Sequence, residues 1–454
     1  MRVFLLLLLA TAAPAQTAYQ SLARGVLKEL IEINTTDTTG DNTRAAEAMA
    51  ARFRKSGYPE ADVKVLGPQP KKGNLVVRLR GTGAAKPVLF IGHIDVVEAL
   101  RSDWSVDPFK FTEQGGFFYG RGTQDTKGND AMMVAAFLRM KQENFRPSRD
   151  LILALTSDEE TGPANGVDWL VTQHRDLIDA EYCINTDGGG GLLKNDKPVA
   201  LDMEAAEKIF LSFKLEVTDA GGHSSLPTKT NPIFRLSDAL SRLGKFDFPV
   251  HLFDVTRSYF ESSASLEGGQ DGEDMKRLVQ NPNDPAVIAR LSATPRFNAT
   301  MRTTCVATQL AGGHAENALP QLATATVNCR ILPVEKPDDI QKTLEGVLAD
   351  PGIKISRLAE PVLAQQKPMD PKVVKLVKDT SQKIWPGLPM LISMATGASD
   401  SIYLLRAGMP VYSAGGLFLD EHEIRAHGRD ERISAKWFDL GADFMYELAT
   451  AVGR

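Results

Sequence analysis

The sequence predicts an α/β fold: a mixed, largely parallel sheet flanked by helices and interrupted by a smaller α+β domain. Three observations predict it. From Tyr19 to Asn185, short apolar runs alternate with segments whose apolar residues recur at helical spacing. Near Glu207 the pattern changes, and Ile209 to Val217 and Ala323 to Ile331 alternate apolar with polar residues, as half-buried strands do. After about Pro361 the first pattern returns. The expected organisation is a leader at 1–15, a larger domain begun by 19–206 and completed by 363–454, and an interrupting domain at 207–362 with an insertion at about 258–295.

Leu22, Val26, Leu27, Leu30 and Ile31 mark a first helix over Tyr19 to Ile33. Ala46, Met49 and Phe53 mark a second over Arg44 to Lys55. Strands follow at Asn74 to Leu79 and Pro87 to Ile94. Gly128 to Met140 reads as a helix with an Ala/Met-rich side, Leu151 to Leu155 as a strand, Val167 to Gln173 as a helix and Tyr182 to Asn185 as a short strand. In the interrupting domain Asn231 to Leu243 reads as a helix, while residues 258–295 are rich in Gly, Asp, Asn and Ser. Pro371 to Ile384 is helical by its spacing, and Pro410 to Ser413 is a strand.

The 454 residues are 43% hydrophobic and 24% charged, an ordinary globular composition. A net charge of -5 and the lack of a basic run argue against a nucleic-acid partner. The start is different. Arg2, the apolar run Val3 to Leu9 and the small residues Ala13-Pro14-Ala15 have the layout of a secretory signal peptide, with cleavage expected after Ala15. The protein is therefore expected to be exported, to a periplasm or the medium. The apolar run falls short of the about 20 residues a membrane span needs, so no stable insertion is expected. Cys183 reads as a core residue of its strand, whereas Cys305 and Cys329 could pair in an exported protein without the sequence deciding it.

In open α/β sheets ligands bind beyond the carboxyl ends of strands, and this chain puts its least ordinary polar residues there. Thr156-Ser157-Asp158-Glu159-Glu160-Thr161-Gly162 follows an apolar strand. Burying an unpaired carboxylate is costly. A metal ion offsets that cost for one glutamate, and a general-base role explains the other. His93 and Asp95 stand two apart at another strand end, so that Asp95 can orient the His93 imidazole. Asp125 lies in the Gly-rich turn Tyr119 to Gly128, and Asp187 precedes Gly188-Gly189. His427 opens His427-Gly428-Arg429-Asp430-Glu431-Arg432-Ile433, with His422 as the competing histidine. Singly, these residues have bland readings: a structural histidine, a helix cap, a solvated acidic pair, a turn. Jointly they form a mixed nitrogen and oxygen donor set that suits zinc, and also manganese or cobalt. One carboxylate must stay off the metals to take a proton from water.

The motifs GHIDVV, GRGTQDTKG, TSDEETG, NTDGGG, GGHSSLP and HGRDERI, in this order, resemble those of the M20 family of di-metal peptidases. Length and leader make the chain similar to the family's carboxypeptidase S branch, and the resemblance runs from about Tyr19 to the C-terminus. It implies a di-metal catalytic domain interrupted by a lid or dimerisation domain, and two divalent metals, zinc first, with manganese or cobalt as alternatives. Matched residue by residue, His93, Asp125, Glu160, Asp187 and His427 are the metal ligands. Asp125 bridges both metals, with a cis peptide expected at Asp125-Thr126. Asp95 is the partner of His93, and Glu159 is the general base. His223 matches the lid histidine that stabilises the tetrahedral intermediate, and in family dimers it reaches the site of the other subunit. Asn317 matches a lid position that binds substrate. Arg330 matches an arginine that binds a substrate carboxylate, with an ordinary lid salt bridge as the plain alternative. Ser399, in the turn Gly397-Ala398-Ser399-Asp400, is expected to line the pocket.

The implied activity is hydrolysis of small peptides with a free C-terminal carboxylate, as a carboxypeptidase or dipeptidase. N-acyl amino acids are the alternative substrates, and an inactive metal- or peptide-binding protein is the non-enzyme alternative. The stretch at 258–295 departs from the compact family members. It leaves open both the homodimer through the lid and the subunit that His223 serves.

Overall fold

The structure, a computed structural model, describes residues 17–363 and 367–454. The leader expected at 1–15 lies outside the described residues. Among the described residues, no helix is long and apolar enough to cross a membrane.

Thr17 opens the first helix, Ala18–Glu32, through a capping box with Gln20. Its face of Ala23, Val26, Leu27, Leu30 and Ile31 is buried. This face packs on the helix Lys127–Gln142, which is also flanked by the C-terminal helix Ala435–Gly453. Lys127 sits at the carboxyl end of the first helix and donates to the carbonyls of Leu30 at 2.9 Å and Ile33 at 3.0 Å.

The helices rest on a mixed sheet. Its strands run in the order Val63–Leu66, Asn74–Leu79, Leu151–Thr156, Val88–His93, Cys183–Asn185, Val411–Ser413, Lys197–Glu207, Gly190–Lys194 and Phe418–Asp420. The strand Met390–Ala395 pairs with Lys197–Glu207 off this path. At the centre Val88–His93 is parallel to both neighbours, with His93 opposite Thr156 and Ile91 opposite Asn185. Three strands therefore end together on one side of the sheet. Val88–His93 and Leu151–Thr156 are buried at every position, as parallel strands covered on both faces must be.

The lid is a four-stranded antiparallel sheet in the order Thr304–Gly312, Leu322–Ile331, Ile209–Thr218, Ile353–Arg357. Burial alternates along Ile209–Thr218, and Leu211, Phe213 and Leu215 pack with Leu236 and Leu344 of the helices Pro232–Leu243 and Pro337–Leu348. Cys305 and Cys329 stand opposite each other on adjacent strands and form a disulfide, while Cys183 is a buried free thiol.

The inserted stretch is not an extension of the lid sheet. It folds as the helices Asp254–Glu267, Gly269–Gln280, Pro285–Ser292 and Pro295–Met301. Their Tyr259, Phe260, Met275, Leu278 and Phe297 pack with Ala200 and Leu391 of the large sheet. These helices are thus anchored on the large sheet.

Candidate di-metal active site

A regular strand would point Glu159 and Glu160 apart. The strand Leu151–Thr156 ends before them, and Asp158 takes a left-handed conformation with φ 66°. Its buried carboxylate is ion-paired with Lys72 and accepts the Ala164 N–H at 2.6 Å, which holds the turn. The turn leaves the N–H groups of Glu159 and Glu160 outside any strand ladder, and they need acceptors. Asp95 supplies both: its carboxylate accepts from Glu159 at 3.2 Å and from Glu160 at 3.0 Å. Asp95 meets His93 through both its carbonyl and its carboxylate. The His93 Nδ1 lies 3.1 Å from the Asp95 carbonyl and 3.6 Å from its carboxylate, so the main chain makes the closer contact.

Asp125 stands between two histidines. One of its oxygens lies 3.0 Å from the His93 Nε2, the other 3.0 Å from the His427 Nε2. His93 Nε2 is 3.8 Å from Asp187, and His427 Nε2 is 3.1 Å from Glu160. Two three-residue donor groups result, His93/Asp125/Asp187 and Asp125/Glu160/His427, with Asp125 common to both. His427, not His422, stands in this cluster; His422 lies in the short helical turn Glu421–Glu423. The peptide Asp125-Thr126 is cis.

Residues around the donors hold them in place. Glu431 is fully buried and ion-paired with Arg121 at 2.7 Å. It also accepts the N–H groups of Gly122, Gln124 and Asp125 at 3.0, 2.6 and 3.2 Å. Gln124 in turn binds the His427 loop, accepting from Arg425 and Ala426 and donating to the carbonyls of Glu423 and Arg432. Asn129 joins the Thr186 carbonyl to the Gly416 N–H. Asp400 accepts from Thr156 at 3.1 Å and from Asn165. In the sequence Glu431 is marked by its place in the HGRDERI motif alone, within a charged run.

The charges are out of balance without a cation. Burial pushes Glu159 up to about 9, Glu160 to about 7 and Asp187 to about 6. Burial would raise Asp125 too, but the imidazoles of His427 and His93 outweigh it and hold that carboxyl below its ordinary range. Hydrogen bonding to Asp125 raises His427 to about 9. Donors bound about 2.0–2.2 Å from a small divalent cation lie a little over 3 Å apart, close to the spacings seen here. The donor set therefore fits two divalent metals, and their charge would compensate the crowded carboxylates. Glu159 belongs to neither donor group.

The lid residues form separate constellations. His223 is exposed on a two-stranded ribbon that pairs Gly222–His223 with Ala318–Leu319, and Ser224 donates to the Asn317 carbonyl at 3.0 Å. The ribbon thus sets His223 and Asn317 side by side. His223 Nδ1 lies 2.7 Å from the Ser225 hydroxyl and 3.2 Å from the Ser225 N–H, so its Nε2 is the ring nitrogen left outside this turn. The Arg330 guanidinium lies 4.6 Å from the centre of the Phe210 ring. Among the described residues no carboxylate pairs with it, so the lid salt bridge is not formed. Ser399 donates to Glu207 at 2.8 Å and fixes its turn. Among the described residues, no hydrogen bond or ion pair joins His223, Asn317 or Arg330 to the metal-donor cluster.

Comparison with known proteins places these features. The profile of peptidase family M20/M25/M40 matches residues 89–451. A probable carboxypeptidase S-like protein 2 of Dictyostelium discoideum is 28% identical over 377 residues, 80% of this chain and 71% of that protein. The human N-fatty-acyl-amino acid synthase/hydrolase PM20D1 is 27% identical over 376 residues, 80% of this chain and 73% of that protein. Among solved structures, an M20 family metallo-carboxypeptidase from Sulfolobus solfataricus superposes with a TM-score of 0.69 at 18% identity, covering 94% of this chain and 98% of that one. A dinuclear metal-binding M20 peptidase of Bacillus subtilis has a TM-score of 0.61 at 12% identity, covering 96% and 99%.

Proposed function

The chain belongs to peptidase family M20/M25/M40, and from that premise we propose that it is an exported two-metal amidohydrolase cleaving small substrates beside a free carboxylate. One observation carries the reading: Asp125 turns one oxygen toward each donor group, and Glu159 stands beside them as a carboxylate left over. When bound, the metals, zinc on this reading, polarise the scissile carbonyl and make water acidic. Glu159 takes the proton as water attacks the carbonyl and returns it to the leaving amine. His223 donates from Nε2 to the developing oxyanion, within its own subunit or across a lid dimer. Arg330, 4.6 Å from the centre of the Phe210 ring and without an acidic partner among the described residues, receives the substrate carboxylate as a two-pronged donor. The Cys305–Cys329 disulfide supports export, since disulfides persist in oxidising compartments.

Small peptides are the first substrate class. A second, N-acyl amino acids, is favoured by a cavity of about 580 Å3 that reaches Asp125 and Asp187 and has Leu192, Leu266, Leu391, Leu417 and Leu419 among its lining residues. The test is metal-loaded protein against free, amidated and N-acylated dipeptides and amino acids, read by mass spectrometry. Cleavage of free-acid substrates is expected. Exclusive cleavage of amidated ones would overturn the reading.

A further inference from the structure

The face of the lid sheet turned away from its helices is not uniform. Leu211, Phe213 and Leu215 point to the helices, so Phe210, Ser212, Lys214 and Glu216 point to the other face. Strand register sets that face out in rows. In one row Phe210 stands opposite Arg330, and Arg330 opposite Thr304. In the next, Ser212 stands opposite Asn328 and Asn328 opposite Val306. On the far side of Ser212 the Leu358 N–H donates to its carbonyl at 2.9 Å, which extends that row to Leu358. The rows beyond, Lys214 with Thr326 and Glu216 with Thr324, are polar, and Lys214 is ion-paired with Glu216 at 3.3 Å.

The large apolar side chains around Arg330 are left uncovered: Phe210, Leu358 and Val306 are 50%, 55% and 61% exposed. The floor between them is low, because Asn328 leans across to donate to the Ser212 hydroxyl at 3.0 Å. Val306 and Leu358 flank this floor about 14 Å apart, three strand spacings, and Arg330 and Phe210 close one end. That end adjoins the metal donors. Glu207, three residues before Phe210, accepts from the Ser399 hydroxyl at 2.8 Å. Asn185 donates to the same hydroxyl at 3.3 Å and accepts the Asp187 N–H at 2.9 Å.

We propose that this recess is the side-chain subsite for the residue whose carboxylate Arg330 receives, and that it selects an aliphatic or aromatic residue there. This rests on the amide-hydrolase reading and deepens it. Hydrolysis adds water across the amide C–N bond, and the residue held by the lid leaves as a free amino acid. With its carboxylate on Arg330, its side chain lies over Ser212 and Asn328 and buries apolar surface against Phe210, Val306 and Leu358. A lysine or arginine side chain would meet the Arg330 guanidinium. An aspartate side chain would compete with the α-carboxylate for that guanidinium and lose hydration against Val306 and Leu358. Lys214 does not offer it a second partner, being held by Glu216.

The experiment varies the carboxylate-bearing residue through Gly, Ala, Leu, Phe, Asp and Lys, in N-alanyl and N-acetyl series, on metal-loaded protein. Leu and Phe are expected to exceed Gly in kcat/KM at least about tenfold, the factor for about 1.4 kcal/mol, with Asp and Lys below Ala. Val306→Ser and Leu358→Ser, at exposed positions, are each expected to lower the Leu-to-Gly ratio about two- to fourfold, up to the worth of one buried methylene. Equal kcat/KM through the series, with substrates cleaved, overturns the subsite and leaves the amide-hydrolase reading standing. A preference for Leu and Phe that neither variant moves also overturns it. So does a dimer that either variant dissociates in sedimentation with the ratio unchanged, since that face then belongs to a second copy. Calorimetry of the same series on metal-loaded Glu159→Gln reads the subsite apart from turnover. Affinity rising from Gly to Leu and Phe while wild type cleaves nothing would sink the hydrolase reading but keep the subsite. Flat affinity would overturn the subsite.

Discussion

The Asp95 carboxylate accepts the backbone N–H of Glu160 at 3.0 Å, and its second oxygen accepts that of Glu159 at 3.2 Å. One buried side chain thereby fixes a turn that puts a metal donor and a free carboxylate side by side. Asp95→Asn presents an NH2 group to one of these N–H donors. It is expected to lower kcat about 10- to 100-fold, the usual effect of losing a group that orients metal donors. Thermal stability should fall by no more than about 1–3 kcal/mol, the cost of one unsatisfied N–H. Steady-state kinetics and thermal denaturation on the same preparation check this, and an unchanged kcat would remove Asp95 from the account.

The two histidines of the late loop separate cleanly by geometry. His427 touches Asp125 and Glu160, whereas His422 stands outside both donor groups. His427→Ala is expected to bind one metal per chain and His422→Ala two, measured by elemental analysis after dialysis. The reverse result would exchange their roles.

Arg330 lies over Phe210 with no carboxylate in reach among the described residues. Removing a charged hydrogen-bonding group costs about 1.5–3 kcal/mol. Arg330→Ala is therefore expected to raise KM for free-acid substrates about 10- to 150-fold and to leave amidated substrates unaffected. Arg330→Lys should recover only part, because an ammonium has neither the planar fork nor the stacking face. Equal losses on both substrate classes would point to a structural role.

Metal loading should release protons. In the metal-free protein hydrogen bonding to Asp125 raises His427 to about 9, and burial raises Glu160 to about 7 and Asp187 to about 6. Below those values each group holds a proton that a metal must displace. Apparent metal affinity is therefore expected to rise as pH climbs from about 6 to about 9. At pH 7 His427 should give up a proton. Calorimetry in buffers of different ionisation enthalpy counts it, and a count of zero would contradict the assignment of His427.

Much of the site was legible because strand ends and motif spacing are local properties. The adjacency of Glu159 and Glu160 required a turn, and Asp158 at φ 66° is that turn. Asp187, His93 and Thr156 converge because their strands are parallel and in register. Other features depended on contacts far apart in sequence. Arg121 and Glu431 are 310 residues apart, and nothing local marks either as buried. The Cys305–Cys329 pair follows only from the register of two lid strands. In the helices between Asp254 and Met301, abundant Gly, Asp, Asn and Ser hid the stripe of Tyr259, Phe260, Met275 and Leu278 that anchors them.

The central claim is that Glu159 moves the proton and does not hold metal. Glu159→Gln keeps the shape and removes the base, so metal content and turnover measured together test it most directly. The account predicts two metals per chain, unchanged from wild type, and a turnover on free-acid amide substrates reduced by about 10^2- to 10^4-fold, the usual worth of a general base. A variant that hydrolyses near the wild-type rate, or one that loses a metal in proportion to its activity, would contradict it.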